Sequence, residues 1–404
     1  MLKQMERHCR SGALQRYAAL IVGSLFLASC TASLDRIAVP ANLADQVDVV
    51  GVPNVRHWGD APLPNVKQIA QLRIDQVRKH RPELLRARSR TVDMLAISGG
   101  GADGAFGAGL LNGWTARGNR PEFEIVAGVS TGALSAPFAF LGPRYDRQLK
   151  EIYTQYATDD LIKKQVLSGL LGGSSVSSTK PLERLIERYI DRKVIAEIAT
   201  QYERGRRLLV GTTNLDSERP VVWDMGAIAA QGTPKSRALF RRVLLASAAL
   251  PGLFPPVLVK VAGNGKFYEE MHVDGGTTDN AFLLPADFDI SRHVQRRNLG
   301  RKFRIFIIAN AKLTPDRQIV KATTFAIAGR SISTLIKQQL HGDLLKIYLR
   351  AKKNGIAFRL ASIPASFVEK SKEAFDRAYM GKLYEVGFAY GRSGKNWAPR
   401  PPDF

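Results

Sequence analysis

Cysteine is nearly absent. The 404-residue chain has two, Cys9 and Cys30, both within its first thirty residues. Beyond them there is no thiol to close a disulfide or to act as a nucleophile. Acid is scarce as well: 36 Asp and Glu stand against 59 Lys and Arg, for a formal charge of +23. Histidine is limited to six residues, so few proton acceptors of the usual kind are at hand. No apolar run reaches the roughly 20 residues that a spanning helix needs. There is no zinc-ligand spacing, no recognition-helix pattern, no basic strand interleaved with aromatics and no internal repeat. Nucleic acid and a metal are therefore not expected as partners. The excess base comes in clusters, "RPELLRARSR" (Arg81–Arg90), "RGRR" (Arg204–Arg207) and "RHVQRRNLGRKFR" (Arg292–Arg304). A surface of that kind suits anionic lipid, or serves solubility alone.

What the N-terminus does contain is a short apolar run, "YAALIVGSLFLAS" (Tyr17–Ser29), after Lys3, Arg7, Arg10 and Arg16. Its length and flanks are those of a signal-peptide core. The next residues complete "LASC" (Leu27–Cys30), which resembles the lipobox of bacterial lipoproteins. The resemblance implies cleavage before Cys30, lipid on that residue and attachment to the cell envelope. Thr31, where an aspartate would favour the inner membrane, implies the outer membrane, facing the periplasm. An uncleaved anchor helix over Tyr17–Leu34 is the other reading.

The remaining chain divides into a tether and helical extension (30–90), an α/β core (91–300) and a C-terminal part that completes or extends it (301–404). A helix is expected over Val66–Leu85, outside the main sheet. Strands are expected at Val92–Ile97, Phe123–Ala127, Leu208–Leu215, Val221–Asp224, Phe267–Val273, Phe303–Ala309 and Ala357–Ala361. Helices are expected at Ala105–Ala116, Thr131–Phe140, Arg147–Tyr156, Lys180–Ile190, Lys235–Ala248, Thr323–His341, Asp343–Ala351 and Lys370–Tyr390. This alternation predicts an α/β fold, a mainly parallel sheet covered on both faces. Leu170–Lys180 reads as a Gly/Ser loop and a candidate lid.

The stretch "SGGGADGAFGAG" (Ser98–Gly109) joins the first strand to the first core helix. A glycine turn there exposes N–H groups at the positive end of a helix, a place for negative charge. Gly99-x-Gly101-x-x-Gly104 fits the dinucleotide pattern, but the following strand lacks an acid at its end to meet a ribose. No Gly-Lys-Ser/Thr follows either, so no cofactor is expected. That following strand ends instead in "GVSTG" (Gly128–Gly132), the G-x-S-x-G of a nucleophile elbow with Ser130 exposed at the strand-to-helix turn. A proton acceptor for Ser130 is offered by "YEEMHVDGG" (Tyr268–Gly276), where a strand ends before two glycines. His272 and Asp274 lie two apart on one face of that strand, and periodicity does not choose between them.

Together these motifs resemble the patatin-like phospholipases. The shared order is an oxyanion loop at Gly99, Gly100 and Gly101, then Gly128–Gly132, then Asp274–Gly276. "TTNLDSERPVVWD" (Thr212–Asp224) and "LLASAALPGLFPPV" (Leu244–Val257) add to the likeness, which spans about Val92–Leu284. The resemblance implies a three-layer α/β/α fold, a Ser130–Asp274 dyad without catalytic histidine, and hydrolysis of lipid acyl esters through an acyl-enzyme. Asp103 stands where the family loop commonly has arginine. It either caps the helix at Ala105 or opposes the oxyanion, and it leaves room for a second reading, a lipid-binding envelope protein without catalysis.

Overall fold

The structure is a computed structural model and describes residues 36–86, 90–164, 177–283, 302–395 and 397–402. Cys30 with segment 1–29, most of the Leu170–Lys180 loop and most of the Arg292–Arg304 cluster lie outside these residues. The described strands are β1 (Asp48–Val49), β2 (Arg56–Trp58), β3 (Thr91–Ile97), β4 (Ile125–Val129), β5 (Lys163–Lys164), β6 (Ser177–Ser178), β7 (Arg207–Asn214), β8 (Arg219–Asp224), β9 (Val257–Gly263), β10 (Lys266–Asp274), β11 (Lys302–Lys312) and β12 (Ala357–Ile363). Ten of them form one sheet, in the order β1-β9-β10-β7-β4-β3-β11-β12, with β8 beside β7 and β2 beside β8.

The five strands β12, β11, β3, β4 and β7 are parallel. Their sequences are near-continuous apolar runs because both faces are covered. Alternate residues divide between two cores. Leu95, Ile97, Val126 and Ile308 pack under Gly104–Ala116, Thr131–Leu141 and Arg377–Ser393. Met94, Ala96, Ile305 and Ile307 pack under the long helix Thr324–Lys353. The architecture is the three-layer α/β/α expected, and β11 and β12 belong to its sheet. Beyond β7 the sheet turns antiparallel through β10, β9 and β1.

Several elements differ from the sequence expectation. β9 is not among the expected strands; its Val257, Val259 and Val261 face inward. The helix Arg192–Glu203 follows Tyr189 almost directly, restarted by Asp191, whose side chain accepts from the Val194 N–H at 2.8 Å. Thr323–His341 and Asp343–Ala351 are one helix, since a lone glycine, Gly342, costs only about 1 kcal/mol in a helix anchored elsewhere. The last helix starts at Arg377 rather than Lys370, where Asp376 accepts from the Ala378 and Tyr379 N–H groups.

Two of the basic clusters turn part of their charge inward among the described residues. Arg81, Arg206 and Arg207 are buried. Arg81 holds Glu124 through two hydrogen bonds of 2.8 and 2.9 Å. Burial would raise the Glu124 carboxyl, but Arg81, Arg90 and Arg73 outweigh it and hold it at about 2. Arg206 donates to the Phe123 and Phe140 carbonyls. Much of this charge is spent inside the fold.

Candidate active site

The register of β7 creates the site. On one edge of β7, parallel β4 ends with Val129 opposite Gly211. On the same edge, antiparallel β10 ends with Asp274 opposite Thr212. The two strands therefore meet end to end, and Ser130 and Asp274 arrive at one point. Ser130 has φ +55° and ψ −127°, a conformation that side chains seldom adopt. It is held there by close packing. A Cβ on Gly128 would lie 2.4 Å from the Gly132 carbonyl oxygen, and one on Gly132 would lie 2.2 Å from that of Ile97. The Ser130 N–H donates to Ser247 Oγ at 3.0 Å, and Ser247 Oγ donates to the Gly211 carbonyl at 2.6 Å. Ser247, inside the quoted stretch Leu244–Val257, thus ties the elbow to β7.

Asp274 is 3% exposed. Its Oδ1 accepts from the Gly276 N–H at 2.8 Å, and the Ser130 side chain is near enough to its carboxyl to pull the pKa down. Burial pushes the carboxyl from 3.8 up to about 6, against the pull of Ser130 and the Gly276 N–H. His272 shares the strand but not the site. Its Nδ1 meets Thr212 Oγ1 at 3.0 Å and its Nε2 meets Glu270 Oε2 at 3.0 Å. It is fully buried, its ring is 5.5 Å from that of Trp223, and burial lowers its pKa. Burial would also raise Glu270, but hydrogen bonds from His272 and Arg56 bring it down to about 2. Both histidine nitrogens are occupied.

The glycine loop lies directly over Ser130. A Cβ on Gly99 would be 2.9 Å from Ser130 Cβ, and one on Gly100 would be 2.3 Å from the Asn310 carbonyl oxygen. The three glycines are not equivalent. The Gly99 N–H donates to Asn280 Oδ1 at 2.9 Å, so it fixes the loop and is not free to hold an oxyanion. The Gly100 and Gly101 N–H groups have no acceptor among the described residues. Asn310 braces the loop from the end of β11, donating to Ser98 Oγ and to the Ser98 carbonyl at 2.9 Å each. Asn280 is itself held by Asp343, whose Oδ2 accepts from its N–H at 2.7 Å. Asn280, Asn310 and Asp343 carry no sequence signal for these tasks. An asparagine just past a strand reads as a turn residue.

Asp103 does not cap the helix at Ala105, for its side chain makes no capping bond. Its Oδ1 accepts instead from the Tyr379 hydroxyl at 2.5 Å. The close approach of the helices Gly104–Ala116 and Arg377–Ser393 brings Tyr379 there; a Cβ on Gly109 would lie 2.0 Å from the Tyr384 carbonyl oxygen. Burial lifts the Asp103 carboxyl to about 6, opposed first by the Tyr379 hydrogen bond. Among the described residues no group of three or more His, Cys, Asp or Glu is placed to hold a metal ion.

Comparison with curated proteins by sequence gives no match. Among solved structures the chain is similar to VipD from Legionella pneumophila, at 14% identity and a TM-score of 0.34, covering 75% of this chain and 67% of that one. It is also similar to human GIVD cytosolic phospholipase A2, at 12% identity and a TM-score of 0.30, covering 78% of this chain and 55% of that one. The same human enzyme in complex with methyl gamma-linolenyl fluorophosphonate is matched at 12% identity, TM-score 0.30, over 84% of this chain and 64% of that one. Residues 95–287, just under half of the chain and the stretch that holds the glycine loop, the elbow and Asp274, match the family model of the patatin-like phospholipases.

Proposed function

We propose that the protein is a lipid acyl hydrolase in which Ser130 is the nucleophile and Asp274 its base. The observation that carries the reading is the end-to-end meeting of β4 and β10, which sets Ser130, on a strained elbow, beside a buried carboxyl that burial pushes up to about 6. A carboxylate of ordinary pKa is a poor acceptor for a hydroxyl proton, and raising it toward working pH improves the match. In this reading Ser130 Oγ attacks the ester carbonyl carbon as Asp274 takes its proton. The carbonyl oxygen becomes an oxyanion facing the Gly100 and Gly101 N–H groups. Such preorganised donors are worth about 3–4 kcal/mol each in comparable enzymes. The protonated Asp274 then gives its proton to the departing alcohol, and the acyl group remains on Ser130. A water, deprotonated by Asp274, releases the acid and restores the serine.

The substrate class follows from the patatin-like match over residues 95–287. The envelope tether rests on "LASC" (Leu27–Cys30) after the short apolar run, with acylated Cys30 as the membrane attachment in a bacterial outer membrane. The mass of the mature N-terminal peptide tests that part. A fluorophosphonate probe tests the chemistry: it should label the wild-type chain and spare Ser130→Ala, whose turnover should vanish while its circular dichroism is unchanged. Labelling of Ser130→Ala at the wild-type level would move the nucleophile elsewhere.

A further inference from the structure

The 30-residue helix Thr324–Lys353 is about 45 Å long, roughly twice the span of the seven-residue β12 that follows it. Its second half packs on the sheet through Leu340, Leu344, Ile347 and Ala351. Its first half overshoots, and none of its described residues before Leu340 is buried. Helices ordinarily turn their apolar side inward. This half does the reverse. At 100° per residue, Ile327, Leu335 and Ile332 fall within a sector of about 140°. They are 52%, 69% and 38% exposed. Arg330 and Lys337 fall on the opposite side and bind the preceding loop, donating to the Asp316 and Thr314 carbonyls.

Its position is as informative as its polarity. β3, β4, β11 and β12 are parallel, so the glycine loop, the elbow and the loops after β11 and β12 all open at one edge of the sheet. The helix passes the site there. Gln339 Nε2 donates to the Thr278 carbonyl at 2.6 Å, and Asn280 Nδ2 donates to the Ile336 carbonyl at 3.4 Å. Ile319 and Val368, in the loops after β11 and β12, add apolar side chains that are 93% and 75% exposed. The segment from Lys312 to Lys337 carries five basic residues and one acid. Among the described residues no helix is long and apolar enough to cross a membrane.

We propose that this overshooting half-helix, with the loop before it, docks on an anionic lipid surface and sets the mouth of the Ser130 site against the bilayer. The proposal rests on the acyl-hydrolase reading for its purpose. Its physical content is separate: a few exposed apolar side chains enter the headgroup boundary while the exposed Arg317 and Lys321 of the preceding loop meet anionic headgroups. The site then takes its acyl chain from the layer it touches, and the outward apolar face has its reason.

The full-length chain carrying Leu335→Cys, labelled with an environment-sensitive fluorophore, tests the docking itself. Leu349→Cys, exposed on the sheet-packed half, is the control, and the labelled unsubstituted chain supplies the background from Cys9 and Cys30. With phosphatidylglycerol vesicles the Leu335 probe should brighten at least twofold and shift to the blue, and brominated lipid should quench it. Phosphatidylcholine vesicles should give much less, and the Leu349 probe should not respond. A silent Leu335 probe, or equal responses at both positions, overturns the proposal. So does a shift without vesicles that grows with protein concentration, which would assign the face to a second copy of the chain. Ile327→Ser with Leu335→Ser should lower turnover of vesicle phospholipid at least tenfold and leave a soluble short-chain ester untouched. A fall on both substrates or on neither refutes the docking role. If the wild-type chain hydrolyses no ester at all, the acyl-hydrolase reading fails, and the probe measurement still decides the docking.

Discussion

Replacing Asp274 with asparagine should disable the enzyme and stabilise the protein, and the two effects should share one pH axis. The carboxyl is buried, and its pKa is raised from 3.8 to about 6, with burial the leading cause. Below about pH 3 the group is neutral in both folded and unfolded chains, so Asp274→Asn changes little. As pH rises from 3.8 toward 6, the unfolded chain releases the proton before the folded one does. Wild-type stability then falls, by about 1.4 kcal/mol per pH unit. Above 6 both states are ionised and the deficit levels off, at about 3 kcal/mol for roughly two units of pKa. Asparagine avoids that loss and still offers an oxygen to the Gly276 N–H. Urea denaturation of both proteins at pH 3 and pH 8 measures it: the variant should match wild type at pH 3 and exceed it by up to about 3 kcal/mol at pH 8. Turnover should fall by at least about 100-fold. In the wild type, turnover should rise through about pH 6 and level off above, as the base ionises. Equal stabilities at pH 8, or an active Asp274→Asn, would refute the assignment of a buried base with a raised pKa.

Gly100→Ala should cost about 10²–10³ in turnover, one oxyanion donor's worth, because its Cβ would meet the Asn310 carbonyl at 2.3 Å and displace the loop. Wild-type kinetics in a folded Gly100→Ala would remove the loop from the mechanism. Asp103→Asn should leave turnover within about threefold, since Tyr379 occupies its carboxyl, a change well below the roughly tenfold that 1.4 kcal/mol would give. A large gain in turnover would show that Asp103 opposes the oxyanion. His272→Gln should lose stability through its Thr212 and Glu270 contacts yet keep the acid limb near pH 6, read from a pH–rate profile. A lost limb in that variant, with Asp274→Asn active, would replace the dyad with a histidine mechanism.

The parts of this protein written in its sequence are the local ones. A strand, a glycine loop and a helix over Val92–Ala116, then a second strand, an elbow and a helix up to Phe140, are legible because each needs a residue type at a fixed offset. Glycine is required where a Cβ would lie 2.2–2.4 Å from a backbone oxygen, as at Gly128 and Gly132, and that requirement appears in the sequence as the glycine itself. The parallel core was legible for the same kind of reason, since strands buried on both faces must be apolar throughout. What tertiary structure alone decided is which distant groups meet. His272 and Asp274 have the same periodicity, and only the end-to-end meeting of β4 and β10 on β7 brings one of them to Ser130. The Gly99 N–H looked like its neighbours until Asn280 was placed against it. The arginines of two basic clusters announced a surface, and Arg81, Arg206 and Arg207 proved to be interior. A sequence records the sign of a charge and the shape of a turn. Which partner satisfies a buried charge or donor is set by whatever the fold places within about 3 Å of it, and that distance has no counterpart along the chain.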